Sequence, residues 1–126
     1  MRFMMIMIPS PKAQEDWSPK PEDVKAMSRY NDQLKEAGVL LTLDGLQETG
    51  KGARVGFAGG KPRVTDGPFP EAKEVIGGYW MIDVPSKEEA VTWATRCPGA
   101  DGDTIEVRQV YEMTDFPPEV QAAAAG

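Results

Sequence analysis

Phe3 to Ile8 is a run of six apolar residues with no polar alternation. A strand with one wet face alternates, whereas an unalternating strand is covered on both faces. In a chain of 126 residues helices can cover one face, and a second copy of the same sheet is the economical cover for the other. Pro9 to Pro19 reads as a polar loop carrying Trp17, placed as a lid at the core edge. Val24, Met27, Tyr30, Leu34 and Ala37 then recur at spacings of three and four, the stripe of an amphipathic helix. Pro21 suits the first helical position, Glu22 and Asp23 suit the first turn, and Gly38 is placed to end it, so a helix is predicted over Glu22 to Ala37.

Val39 to Leu43 is a second, nearly all-apolar strand, and Asp44 to Gly52 a polar loop. Ala53 to Phe57 and Pro62 to Thr65 are short extended runs around a Gly59-Gly60 turn signal, which predicts a polar hairpin appended to the sheet edge. In the strand Tyr79 to Val84, Trp80, Ile82 and Val84 make one apolar face, and Tyr79, Met81 and Asp83 a mixed one. Ser86-Lys87-Glu88-Glu89 is a capping-box pattern. It opens a helix with the buried stripe Ala90, Trp93, Ala94 and Cys97, which Pro98 stops. Thr104 to Tyr111 is the last strand, with Ile105, Val107 and Gln109 on one face and Glu106, Arg108 and Val110 on the other.

The order strand, helix, strand, hairpin, strand, helix, strand describes an α+β, ferredoxin-like sandwich with both helices on one face. Residues 1–115 form a single domain and residues 116–126 a tail, a short helix or a frayed end. The uncovered sheet face is too apolar to meet water, which predicts a homodimer.

Charge and composition narrow the function. Acidic residues outnumber basic ones, 20 against 14, and the net charge of −6 argues against nucleic acid and against an anionic membrane as partners. No window approaches the roughly 20 apolar residues of a membrane span. The single cysteine, Cys97, permits no intrachain disulfide and fits a reducing cytoplasm, where its side chain serves as small apolar filler. There is no histidine, which removes Ser-His-Asp and Cys-His catalysis and any His-ligated metal. No metal site and no cofactor are expected: Asp66, Glu71 and Glu74 offer oxygens without a calcium-loop spacing, and neither Gly59-Gly60 nor Gly77-Gly78 is a phosphate loop.

The densest cluster of special-backbone and ionisable residues lies between Val64 and Val84. Asp66 precedes Gly67-Pro68 and can fold its carboxylate onto following amides as an Asx-turn. Glu71 to Val75 could form one helical turn, and Gly77-Gly78 permits close approach of another backbone. Three readings share the nearby ionisable set. As an enzyme, Asp66 serves as a base and Arg108 or Lys73 holds the resulting anion, in cofactor-independent lyase or isomerase chemistry. As a ligand-binding protein or sensor, Arg108 pairs with a carboxylate, Tyr79 and Met81 line the pocket, and Lys73, Glu74 and Glu106 contribute. As a structural or interaction module, Glu106 and Arg108 form an interface ion pair and Asp66 closes a turn.

Asp66-Gly67-Pro68-Phe69, followed by Glu71, Lys73-Glu74 and Gly77-Gly78, resembles the YCII-related family, in its branch named after the Asp-Gly-Pro-Phe motif. Glu89-Ala90, Trp93-Ala94, Pro98 and Ile105-Glu106-Val107-Arg108 extend the resemblance, as do Tyr30-Asn31, Leu34, Ala37-Gly38-Val39-Leu40 and Leu46. The resemblance implies a dimeric α+β barrel with a cleft beside the sheet, proposed to be catalytic. In some relatives a His-Asp pair is the suspected site, and a dehydrochlorinase is among them. This chain departs there, having no histidine, so Asp66 matches the motif without that pair. Branch members are often encoded near extracytoplasmic-function sigma factors, which implies a regulatory context and a sigma-factor-related partner.

Overall fold

The computed structural model describes residues 1–16, 18–69 and 75–126. Trp17 and the turn expected at Glu71 to Val75 therefore lie wholly or largely outside the described residues. The chain is α+β. Its main sheet joins β1 (Arg2–Ile8), β2 (Leu40–Gly45), β5 (Gly78–Asp83) and β6 (Thr104–Gln109) in the order β2-β5-β1-β6, all neighbours antiparallel. That order is compatible with a ferredoxin-like fold. β3 (Ala53–Ala58) and β4 (Lys61–Asp66) form a separate two-stranded sheet. The hairpin is thus an independent arm and not an addition to the edge of the main sheet. Gly59 and Gly60 turn it with φ of +58° and +76°, the paired left-handed geometry of a tight hairpin turn.

Helices α2 (Pro21–Glu36) and α3 (Lys87–Thr95) cover one sheet face. Phe3, Met5, Trp80, Ile82 and Val84 are buried there with Tyr30, Leu34 and Ala90. Burying each large side chain contributes roughly 1.5–3 kcal/mol. The polar atoms of the core are satisfied: the Tyr30 hydroxyl donates to the Trp93 carbonyl at 2.7 Å and Trp80 Nε1 to Asn31 Oδ1 at 2.8 Å. The Tyr30 and Trp80 rings meet edge to face, 5.6 Å between centroids. α2 ends as its sequence directs: Gly38, at φ +72°, donates to the Lys35 carbonyl and Val39 to the Leu34 carbonyl, the double-bonded glycine stop. Ser86 Oγ caps α3 by accepting from the Glu89 amide at 3.2 Å.

Three expectations are corrected. The segment after β1 holds a short helix, α1 (Pro11–Glu15), where a loop was expected; Ser10 Oγ accepts from the Ala13 amide and Pro11 supplies the first position, a start signal hidden among loop-type residues. Val24 and Ala37 leave the buried stripe of α2 and are exposed; the apolar packing of the helix on the core is made by Met27, Tyr30 and Leu34. β2 is not covered on both faces. A bulge between Leu40 and Thr42 leaves Leu41 as the extra residue, 52% exposed, and turns Thr42 and Asp44 to the open face. The tail holds a short helix, α4 (Pro118–Ala125), reached through a stacked Tyr111–Phe116 pair.

The burial difference along α2 is directly testable. Leu34→Ala should cost about 2–5 kcal/mol in denaturant unfolding, and Val24→Ala should stay within about 0.5 kcal/mol, although one apolar stripe in the sequence contains both. Equal losses would contradict the packing described.

Candidate functional site

The strand alternation that buries Phe3 and Met5 under α2 and α3 turns Met4 and Ile6 to the opposite face, which those two helices do not cover. Register sets their neighbours: Met4 stands between Met81 and Arg108, and Ile6 between Tyr79 and Glu106. The next strand out places Thr42 beside Met81 and Asp44 beside Tyr79. This face therefore has an apolar centre of half-buried Met4, Tyr79 and Met81, with Ile6 already buried among them. One edge carries Thr42 and Asp44, the other Glu106 and Arg108. The Tyr79 hydroxyl donates to Asp44 Oδ2 at 2.9 Å. Arg108 Nη1 stands 3.9 Å from Glu106 Oε2, a loose ion pair between exposed side chains. The four residues expected from the sequence on this face, Tyr79, Met81, Glu106 and Arg108, do share it. Two residues of its centre, Met4 and Ile6, and the Tyr79 partner Asp44 escaped the site reading. The first two read as core, and the third falls in the polar loop expected after Leu43, whereas β2 continues to Gly45.

Asp66 lies elsewhere, at the end of β4 and opposite Ala53, on the two-stranded sheet, with its side chain exposed. The nearest amides for an Asx-turn are spoken for: Gly67 N–H donates to the Gly52 carbonyl at 2.9 Å, and Pro68 has none. Lys73 and Glu74, the remaining candidates, lie outside the described residues. The glycine of this loop has a packing reason. A Cβ on Gly67 would overlap the Thr49 carbonyl oxygen, so only glycine lets the loop close against the single 3-10 turn at Thr49–Lys51. That closure sets Phe69 under Arg54, whose guanidinium carbon lies 4.0 Å from the ring centroid. Arg54, Arg63, Thr65, Pro68 and Phe69 border an open cleft of about 540 Å³. The close approach expected at Gly77-Gly78 is present too: a Cβ on Gly78 would stand 2.8 Å from the Asp44 carbonyl oxygen. Gly77 bridges two strands, donating to the Met7 carbonyl and accepting from the Leu46 amide, both at 2.8 Å.

Cys97 is half-buried beside Asp103, and burial first, then that negative charge, pushes its thiol up to about 11. A thiol held protonated at neutral pH is a poor nucleophile.

A small antiparallel α+β domain with one helix-covered and one open sheet face is the class these features define. The sequence pattern of the YCII-related domain matches residues 1–114, and the chain belongs to the YCII-related family. It is similar to the uncharacterized protein R00369 of Rhizobium meliloti (strain 1021), 35% identical over 108 residues that span 80% of this chain and 86% of that protein. Among the described residues no helix is long and apolar enough to cross a membrane.

Burial also raises the Tyr30 phenol above its ordinary range. Cys97 and Tyr30 both keep protons in the fold that the unfolded chain gives up sooner. The Cys97 contribution is intact below the ordinary thiol value of 9.0 and is lost as pH rises through about 11, while that of Tyr30 begins to fall only above the ordinary phenol value of 10.0. Thermal melts should show the melting temperature falling across that window, with a shallower fall in Cys97→Ala. Identical slopes for the two proteins would exclude the thiol as a contributor.

Proposed function

We propose that this protein is a homodimeric small-molecule-binding member of its family, in the branch carrying the Asp-Gly-Pro-Phe motif, working in the cytoplasm. Two copies pair their open sheet faces as a dimeric α+β barrel, and a small anionic or carbonyl-containing molecule is held in the cleft at the rim of the paired sheets. The observation that carries this reading is the arrangement of the open face, an apolar centre of Met4, Ile6, Tyr79 and Met81 between two polar edges. Stable interfaces have that anatomy, a desolvated centre inside a polar rim. The charges are self-complementary as well, since Glu106 and Arg108 on one edge supply both signs to a two-fold related copy.

Binding is favoured over turnover. The acid–base reading drawn from the sequence pairs Asp66 with Arg108 or Lys73; Asp66 and Arg108 occupy different sheets, and Lys73 lies outside the described residues. Arg108 instead offers a fork of N–H donors beside the Tyr79–Asp44 row, a recognition arrangement for a carboxylate or carbonyl oxygen. Calorimetric titration with small carboxylates and lactones, followed by chromatography of the mixture, tests this. At least one compound should bind saturably and be recovered unchanged. Arg108→Ala should weaken it about tenfold or more, the equivalent of one charge-assisted hydrogen bond. Consumption of the compound would replace the binding reading with an enzymatic one, and an unaltered affinity in Arg108→Ala would remove Arg108 from the site. Asp66→Asn should bind as wild type; loss of binding there would restore Asp66 to the site.

A further inference from the structure

The arm formed by β3 and β4 separates charge from apolar surface. Between Thr49 and Thr65 there are four cations, Lys51, Arg54, Lys61 and Arg63, and no acidic residue, in a protein of net charge −6. Strand register sorts them. Arg54 pairs with Thr65, Gly56 with Arg63 and Ala58 with Lys61, so these residues share one face of the arm. The alternate positions, Val55 opposite Val64 and Phe57 opposite Pro62, make the other face apolar, with Asp66 opposite Ala53 at its base.

The cationic face is also shaped. Gly56 has no side chain, and a Cβ there would meet nothing within 4 Å, so the floor beside Arg63 is open. Phe69, set in place by the Gly67 closure, rises along one side with the Arg54 guanidinium stacked over its ring at 4.0 Å. The space between is the cleft of about 540 Å³, within the range of sites that take one small organic molecule. With its central carbon over the Phe69 ring, the Arg54 guanidinium brings to the cleft a fork of N–H donors of the kind that receives a carboxylate bidentately. Arg63 adds a second fork and Thr65 a hydroxyl. Phe69 and the bare Gly56 floor favour a flat apolar body attached to that charge.

From this geometry we infer a ligand site on the cationic face of the arm for an aromatic carboxylate, held by Arg54 and Arg63 at its charge and by Phe69 at its ring. The site is independent of the sheet-rim site proposed above and shares no residue with it.

Benzoate is the probe, with acetate as the same charge lacking the ring and benzamide as the same ring lacking the charge. The measurement is NMR titration of the full chain, following the Arg54 and Arg63 side-chain N–H signals and the Phe69 ring. Benzoate should shift all three saturably in the millimolar range or tighter, and several-fold more tightly than either control. Arg63→Ala should weaken benzoate about tenfold, Arg63→Lys should weaken it less, and Arg108→Ala should leave it unchanged. The backbone spectrum of each variant verifies its fold. Equal affinity for acetate and benzoate would reduce the arm to a solvated cation cluster and overturn the inference. So would motionless Arg54 and Arg63 signals, or an Arg63→Ala variant that binds as wild type. Benzoate shifts mapping to Arg108 in place of Arg54 and Arg63 would also overturn it, while supporting the sheet-rim reading.

Discussion

A β-sheet has two faces, and β1 is apolar on both. The helices α2 and α3 satisfy only one of them. Phe3 and Met5 disappear beneath Tyr30, Leu34 and Ala90, while Met4 and Ile6, on the same strand, head the face that α2 and α3 leave uncovered. Most other features follow from this imbalance. The edge strands soften the open face with polar residues, Thr42 and Asp44 on one side and Glu106 and Arg108 on the other. The centre cannot be softened in the same way, because alternation ties it to a strand whose other positions build the core. Electrostatic contacts at the strand ends hold the sheet in register around this strand: Arg2 donates to both oxygens of Glu112, at 2.7 and 3.2 Å, and the N-terminal ammonium to Asp83 at 2.9 Å.

The second organising feature is a set of close backbone approaches that only glycine permits. Gly78 lets β5 lie against the Asp44 carbonyl, and Gly67 lets the loop after β4 close on the Thr49 turn. The Asp-Gly-Pro-Phe segment therefore has an architectural role that does not depend on its aspartate. It anchors the base of the arm and delivers Phe69 to Arg54. In the sequence, the ionisable side chain drew attention to this motif. In the structure its glycine and its phenylalanine do the positioning.

Element order, the alternation of β5 and β6 and the two main helices could be read directly, because each rests on local periodicity. The open face was legible for the same reason: Tyr79, Met81, Glu106 and Arg108 fall on it by counting residues in twos. What resisted reading depends on non-local geometry. A bulge at Leu41 changes which side chains of β2 face outward, and no residue-type signal marks it. The detachment of the arm from the main sheet is decided by how the chain packs around Thr49 and Gly52. The short helix α1 was missed although Ser10-Pro11 announces it, since the flanking Pro, Lys and Glu residues look like a loop. Arg54 and Arg63 carried a legible signal, four cations without an acid across 17 consecutive positions, but it emerges only when charge is counted along a segment instead of over the whole chain.

The central claim is that a second copy covers the open face of the sheet. Light scattering on protein eluting from gel filtration tests it most directly, comparing the wild type with Met4→Glu, which puts a charge at the centre of that face and leaves the helix-covered core untouched. The account predicts twice the chain mass of 13.8 kDa for the wild type at micromolar concentration and the single-chain mass for the folded variant. A stable, soluble wild-type monomer, or a Met4→Glu protein that pairs as tightly as wild type, would contradict it.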